Sequence, residues 1–256
     1  MVAPPPEIVE LNGVRIAIDP AIMAKRVRNL IRTGQLSEPE AGLVGGLVED
    51  GERFLELGAG IGYTSSLVAR RGKAASIATF EANPRLIASI RSTHELNGVE
   101  ATVVNAVVLA RKTADTVPFF VRKSFTASSL IEAGRDYASV VDVPVIPFDE
   151  VIARFSPTML MIDIEGGEGS LFKDVELPGV NKVLLEMHKS LIGPDGVRRV
   201  LDFFAKRGFV RDPDCSVGQV VLFRRRGSGG RPRALAEATR MARMINRTGR
   251  RLLRSA

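Results

Sequence analysis

Two acids stand one residue apart at the end of an apolar run in the segment MLMIDIEGGEG, residues 159–169. Alternate residues of a strand point the same way, so Asp163 and Glu165 share a face if the extended chain continues that far. A second apolar run, VLLEMH, ends in Glu186 and His188. The carboxyl ends of parallel strands meet at one edge of a sheet, so we expect these four side chains together. Such a group can accept a hydroxyl proton or hold a hard cation, for which the three acids are the candidate ligands.

Each of these residues also has an ordinary structural role open to it. Glu165 can cap a following helix, Glu186 can pair with an arginine, and His188 can be a plain loop residue. Their coincidence at two successive strand ends favours a functional site, because neighbouring ionisable groups shift one another's pKa values.

A glycine-rich turn follows an earlier apolar run in FLELGAGIGYTS. Gly58, Gly60 and Gly62 let the backbone turn sharply, and they let a ligand approach main-chain N–H groups at a helix start. The nicotinamide fingerprint needs a third glycine where Tyr63 stands. A pyrophosphate is also disfavoured beside Glu56, two residues before the first glycine. The loop therefore predicts a cofactor with a cationic group and no phosphate.

The ends of the next two strands carry polar residues with a predicted cofactor role. Glu81 lies 21 residues after Gly60, where a carboxylate can accept both hydroxyls of an unphosphorylated ribose. It can instead simply favour the positive end of the following helix. Asn105 and Ala106 lie where an adenine edge is expected, although an asparagine there can equally cap the chain turn.

The elements that position these residues alternate between short apolar runs and helical patterns. This alternation predicts an α/β fold, a Rossmann-like doubly wound sheet that is mostly parallel. The expected core strands are residues 53–57, 76–80, 101–104, 158–163 and 182–186. Two further strands, 208–211 and 219–223, are joined by a loop too short for a crossover helix, so they form a C-terminal antiparallel hairpin.

The chain divides into three predicted parts. Residues 1–50 form an N-terminal helical or entry segment, and 51–225 form the main domain. An insertion at 106–150, far longer than a usual connection, contains added strands and is a candidate wall of the substrate site. Residues 226–256 form a basic amphipathic tail that includes the flexible sequence GSGGRPR.

Composition limits the classes of protein that this chain can represent. At 256 residues with 45% hydrophobic residues, it can build a large α/β core, and no apolar run is long enough for a membrane span. One cysteine and two histidines disfavour a disulfide framework and a Cys/His zinc site. No basic region followed by an apolar stretch marks a secretory signal at the N-terminus, so the expected compartment is the cytoplasm.

The basic charge of the chain belongs to the tail. From residue 224 onward, eleven arginines and one acid give +10, which leaves −3 of the total +7 for the rest. The arginines lie opposite an apolar helical face that favours packing on the main domain or on a second copy in a homo-oligomer. An anionic membrane surface or polymer is the alternative partner.

The chain resembles the FkbM-type methyltransferases. The resemblance is carried by the segments quoted above and by three others: IATFEANP, the ASSL at 127–130 and VPVIPFDEVI. The resemblance runs from about residue 53 to 223. It implies a class I fold and S-adenosyl-L-methionine (AdoMet) as cofactor. By position, it places Glu56 and the three glycines around the methionine part, and Glu81 at the ribose. It also places Asn105 and Ala106 beside the adenine. The acceptor side is assigned to the four ionisable residues at the two strand ends, here called the rim: Asp163, Glu165, Glu186 and His188.

The expected reaction is therefore AdoMet-dependent O-methylation of a hydroxyl on a sugar, glycan or other natural product. His188 or Asp163 is the expected base, and a divalent cation is compatible with the acids but not required. An RNA-binding protein or RNA methyltransferase using the arginine-rich tail is the alternative. Nucleic acid is disfavoured as a partner because the chain has no tryptophan and two tyrosines, too few aromatic groups for a stacking platform.

Overall fold

The computed structural model describes residues 6–36, 39–122, 128–130, 132 and 137–228. The strands in this part of the chain are β1 (Glu7–Leu11), β2 (Val14–Ile18), β3 (Arg53–Leu57), β4 (Ser76–Glu81), β5 (Thr102–Asn105), β6 (Val107–Leu109), β7 (Thr116–Arg122), β8 (Tyr137–Pro147), β9 (Met159–Ile162), β10 (Lys182–Glu186), β11 (Phe209–Val217) and β12 (Val220–Arg225). The helices are α1 (Lys25–Arg32), α2 (Pro39–Leu47), α3 (Tyr63–Arg70), α4 (Ile87–Leu96), α5 (Phe148–Phe155), α6 (Glu168–Leu171) and α7 (Lys189–Lys206). None of these helices combines the length and the apolarity needed to cross a bilayer.

A seven-stranded sheet forms the centre of the fold, in the order β11-β12-β10-β9-β3-β4-β5. β10, β9, β3, β4 and β5 pair in parallel, whereas β12 runs antiparallel to both β10 and β11. The predicted α/β class, mostly parallel sheet and C-terminal antiparallel hairpin are thus confirmed. The hairpin turn is tighter than expected, because β11 extends through most of the presumed loop to Val217.

The two innermost strands bury side chains on both faces of the sheet. Leu57 and Ile162 belong to a core shared with Phe204 of α7. Phe54 and Met161 point the other way, into a second core that includes residues of α2. Burial on both faces explains the nearly continuous apolar runs, and each such side chain contributes about 1.5–3 kcal/mol by leaving water.

The described part of residues 1–50, predicted as a helical or entry segment, combines a β-hairpin with two helices. β1 and β2 form an antiparallel hairpin, and α1 and α2 come only after it. Asn12 and Gly13 form its turn, both with positive φ, at 52° and 81°. A two-residue turn of this kind suits the twist of a hairpin, so the Asn-Gly pair between alternating apolar residues is the physical reason for the difference.

The insertion forms a small sheet of its own, in the order β6-β8-β7. β6 pairs with β8 in parallel, and β7 pairs with β8 antiparallel, so the two added strands predicted between residues 106 and 150 are present. Val107, Phe119, Val121 and Val143 form the core between this sheet and its neighbours. The predicted tail helix lies outside the described residues, which end at residue 228.

Candidate active site

A cavity of about 620 Å³ opens at the carboxyl ends of β3, β4, β9 and β10. Gly58, Glu81, Asp163 and Glu186 reach it from these four strands. Residues of α1 and of the inserted sheet complete its walls. The additional wall residues include Ala24, Arg26, Val27, Leu30, Val107, Leu109, Phe119, Ser128 and Leu130. Ligand sites of open α/β sheets lie at this edge, so the cavity is the candidate active site.

The glycine loop forms one side of the cavity in a backbone conformation that side chains rarely adopt. Gly58, Gly60 and Gly62 have φ values of 89°, 56° and 77°. A Cβ atom added at Gly58 would lie 1.7 Å from the carbonyl oxygen of Asp163. Because the end of β9 lies directly against the loop, only glycine fits at this position.

Glu81 holds the loop from the end of the neighbouring strand. One carboxylate oxygen accepts a hydrogen bond from the Gly60 N–H at 2.9 Å, and the other accepts from the Asn83 N–H at 2.8 Å. Burial raises the pKa of Glu81 to about 7, and the backbone donors only partly oppose this shift. Each oxygen keeps a further lone pair, so the carboxylate can still accept ligand hydroxyls.

The opposite side of the cavity carries the predicted rim of ionisable groups. Asp163, Glu165 and Glu186 line the cavity, and His188 lies behind them. Its Nε2 atom is 3.3 Å from Glu165 Oε2 and 3.7 Å from Asp163 Oδ1. One possible ligand atom from each of three residues lies within 4.8 Å of the other two, a spacing suitable for a cation. The residues are Asp163, Glu186 and His188.

Glu168 holds His188 from the buried side. Its Oε1 atom lies 3.1 Å from His188 Nδ1 and accepts the His188 backbone N–H at 2.6 Å. Its other oxygen accepts the Gly166 N–H at 2.8 Å. Glu168 is fully buried, so one carboxylate fixes both the imidazole and the turn that carries Glu165.

These contacts decide the charge of the imidazole. Burial disfavours the charged ring, but the Glu168 hydrogen bond and the charges of Glu165 and Asp163 outweigh it and raise the pKa of His188 to about 9. Burial also raises the pKa values of Glu165 and Glu186 above their ordinary range. At neutral pH His188 is therefore an imidazolium, and its Nε2–H can donate to Glu165.

The inserted sheet reaches the rim through the serines of the ASSL segment. Ser129 forms two backbone hydrogen bonds with Phe120 of β7, and its hydroxyl donates to the carbonyl of Glu165 at 2.8 Å. Ser128 lines the cavity, and its hydroxyl accepts the Arg122 N–H at 3.0 Å. The wall predicted from the long insertion is thus connected directly to one of the rim acids.

A family model described as the methyltransferase FkbM domain matches residues 56–211, more than half of the chain. The chain is a member of the FkbM methyltransferase family. This finding confirms the resemblance based on the glycine loop and the two acidic strand ends. No curated protein matches the chain.

Two solved structures similar to this FkbM-family chain illustrate the low sequence identity of the matches. A Pyrococcus abyssi tRNA (uracil-54, C5)-methyltransferase in complex with S-adenosyl-L-homocysteine is 18% identical, with a TM-score of 0.46. The match covers 85% of this chain and 43% of that one, so this chain spans less than half of that enzyme. M. jannaschii TYW2 in complex with AdoMet is 11% identical over 86% of each chain, with a TM-score of 0.44.

Four predicted site residues of the FkbM-family chain are not among those that line the cavity. Glu56 is buried inside β3, before the strand reaches the cavity. Gly62 precedes α3 and packs against Ile90. A Cβ atom added at Gly62 would lie 3.2 Å from the Cα atom of Ile90. Asn105 donates to the carbonyls of Glu81 and Ala82, so it caps the chain turn. His188 lies behind the carboxylates. The other predicted residues, including Ala106, do line the cavity.

Sequence reasoning missed Glu168, Ser129 and the cavity-lining residues of α1. Glu168 stands in the segment 159–169 with Asp163 and Glu165, yet the sequence pattern does not distinguish a buried carboxylate from an exposed residue of the first helical turn. Ser129 acts through a carbonyl 36 residues away, and such a contact has no signal in one sequence.

Proposed function

We propose that this protein is an AdoMet-dependent O-methyltransferase acting on a hydroxyl of a sugar, glycan or other natural product. One observation carries the proposal. The glycine loop and the ionisable rim share one cavity, and they touch where Gly58 meets the carbonyl of Asp163. A cofactor held by the loop therefore lies beside groups that can orient a hydroxyl and accept its proton.

The residues of the glycine side fit an adenosine cofactor. The left-handed glycines allow a close approach to the backbone, and Glu81 offers two acceptor oxygens to ribose hydroxyls. Ala106 and Val107 supply an apolar wall for a flat ring. When bound, AdoMet supplies an electrophilic methyl group on a positively charged sulfur. The chain must align the acceptor with that group and remove a proton late in attack.

Asp163 is our choice of proton acceptor among the four rim residues. It lines the cavity and directly adjoins the glycine loop, whereas His188 lies behind the acids and already carries a proton at neutral pH. The imidazolium instead holds Glu165 in place. Glu165 and Glu186 then orient the acceptor by accepting hydrogen bonds from its other hydroxyls, since ionised carboxylates act only as acceptors.

Calorimetry tests the cofactor part of this proposal. AdoMet should bind the wild-type protein, and Glu81→Gln should weaken it, while NAD should not bind. Asp163→Ala should leave AdoMet affinity nearly unchanged, because this acid serves the acceptor. Binding of NAD in place of AdoMet would contradict the proposal.

A screen of hydroxylated acceptors with labelled AdoMet tests the reaction. Asp163→Ala should lose turnover, and His188→Ala should lose it indirectly as Glu165 becomes misplaced. Near-wild-type rates in both variants would show that this rim is not the acceptor site. Salt-dependent RNA binding that disappears when residues 227–256 are removed would instead support the RNA alternative.

A further inference from the structure

Helix α1 forms the wall of the cavity beside the glycine loop. Arg26 and Val27 of this helix line the cavity. Val27 packs in one hydrophobic core with Ala59 and Ile61 of the loop. Ile164, between two of the rim acids, packs against a different core. Arg26 therefore lies on the side of the cavity that carries the glycine loop.

Arg26 differs from the other two arginines of α1 in its contacts. Arg28 donates to the carbonyl of Met23 at 2.6 Å, and Arg32 is paired with Glu7. Arg26 is exposed and forms no hydrogen bond or ion pair with any residue that the structure describes. It is also the one basic residue among the described residues that line the cavity. Its guanidinium is therefore available to an anionic group of a ligand in the cavity.

AdoMet has one such group, the α-carboxylate of its methionine part. The methionine part is predicted to lie at the glycine loop, against which α1 packs. Arginine suits a carboxylate, because its planar guanidinium can donate two parallel hydrogen bonds to the two oxygens. The other lining residues of charged type are acids, which repel a carboxylate: Glu40, Glu81, Asp163, Glu165 and Glu186.

We infer that Arg26 binds the α-carboxylate of AdoMet and that α1 thereby covers the methionine end of the cofactor. This inference rests on the proposed function, which places the methionine part at the glycine loop. The family match begins at residue 56, so Arg26 lies outside the matched segment. The contact distinguishes AdoMet from adenosine ligands that lack a carboxylate.

Calorimetry with AdoMet and decarboxylated AdoMet tests the inference without any acceptor. The two ligands share the adenosine, the sulfonium and the amine, and they differ in the carboxylate alone. Arg26→Gln should weaken AdoMet binding about tenfold or more, as expected for loss of a hydrogen bond between charged groups. Decarboxylated AdoMet should bind this variant as tightly as it binds the wild type, or slightly more tightly because a like charge is gone. The ratio of the two dissociation constants should therefore differ about tenfold or more between wild type and variant.

Two further variants assign the effect to the guanidinium. Lys25→Gln is the matched control, because Lys25 is an exposed cation of α1 that is not among the residues lining the described cavity. It should leave the ratio unchanged. Arg26→Lys keeps the charge and should retain part of the preference for AdoMet. The urea midpoint should be unchanged in all three variants, since both side chains are exposed.

The outcomes separate this inference from the proposed function. An unchanged ratio in Arg26→Gln would overturn the inference. Equal weakening of both ligands would also overturn it, because Arg26 would then only support the fold of α1. An equal change of the ratio in Lys25→Gln would reduce the effect to general charge and exclude a direct contact. A wild-type protein that binds neither ligand would contradict the proposed function itself, and the inference with it.

Discussion

Ser129→Ala should release Glu165 from the position that it holds against His188. Glu165 has a φ of 48°, a left-handed conformation that costs a non-glycine residue about 1–2 kcal/mol. The Ser129 hydroxyl donates to the carbonyl of this same residue at 2.8 Å. Ser129 is 5% exposed, so water does not readily replace the lost donor.

The size of the effect follows from these two quantities. Removing the donor costs about 1–3 kcal/mol, because a partly buried carbonyl loses its partner. That loss is comparable to the cost of the left-handed backbone, so the turn can relax to a different conformation. The Glu165 carboxylate, 3.3 Å from His188 Nε2, would then move away. The pKa of His188 should fall from about 9 toward its ordinary 6.5.

NMR titration of the imidazole signals measures this change directly, because the chain has two histidines. The second, His94, is an internal control. It is buried beside Ser65 between other elements, and burial lowers its pKa. Glu165→Gln sets the size of the shift expected when the carboxylate charge is lost completely.

Ser170→Ala is the matched control for this prediction. Ser170 of α6 also donates to a backbone carbonyl, that of Gly167 at 3.1 Å, a few residues after Glu165. It should leave the pKa of His188 unchanged. If Ser129→Ala also leaves it unchanged while Glu165→Gln lowers it, the hydroxyl does not position Glu165 and the reasoning is refuted.

Three further changes test other parts of the molecule. Gly58→Ala should abolish AdoMet binding in calorimetry and lower the urea midpoint, because its Cβ would lie 1.7 Å from the Asp163 carbonyl oxygen. AdoMet binding near pH 7 should release a proton, since ribose hydroxyls favour the ionised form of Glu81, whose pKa is raised to about 7. Affinity should therefore rise with pH through 7, and Glu81→Gln should abolish the proton release seen by calorimetry in two buffers. Lys182→Met should lower the free energy of unfolding by about 3–5 kcal/mol, because it leaves buried Glu52, 2.8 Å from the ammonium, without its cation. Unchanged urea unfolding would contradict this last expectation.

The sheet was predictable because its strands are buried on both faces. Residues 53–57 and 182–186 match β3 and β10 residue for residue, since nearly every side chain in them is buried and their apolar residues show no helical periodicity. The short antiparallel hairpin was equally readable from its connection length. The N-terminal segment was predicted as helical or entry, without a hairpin. The Asn12-Gly13 pair that turns the observed hairpin is a local signal and not a tertiary effect.

The sequence predicted which residues lie at the rim but not which chemical role each of them has. Sheet topology brought Asp163 and Glu186 to one edge, at the ends of β9 and β10. Glu165 also lines the cavity, but it lies beyond β9 in a left-handed turn, so strand alternation does not account for its place. The protonated state of His188 depends on Glu168, whose burial results from packing between α6 and the rest of the domain. Likewise, the side-chain amide of Asn105 donates hydrogen bonds to two carbonyls at the end of β4. These contacts depend on the three-dimensional arrangement of the strands.

The most direct test is the transfer of a deuterated methyl group from AdoMet to an acceptor, with the product identified by mass spectrometry and NMR. Wild-type protein should place the label on an oxygen atom. Asp163→Asn should reduce the rate at least about a hundredfold at equal AdoMet occupancy, as expected for loss of a general base. Label on nitrogen or carbon, or a near-wild-type rate in the variant, would contradict O-methylation at this rim.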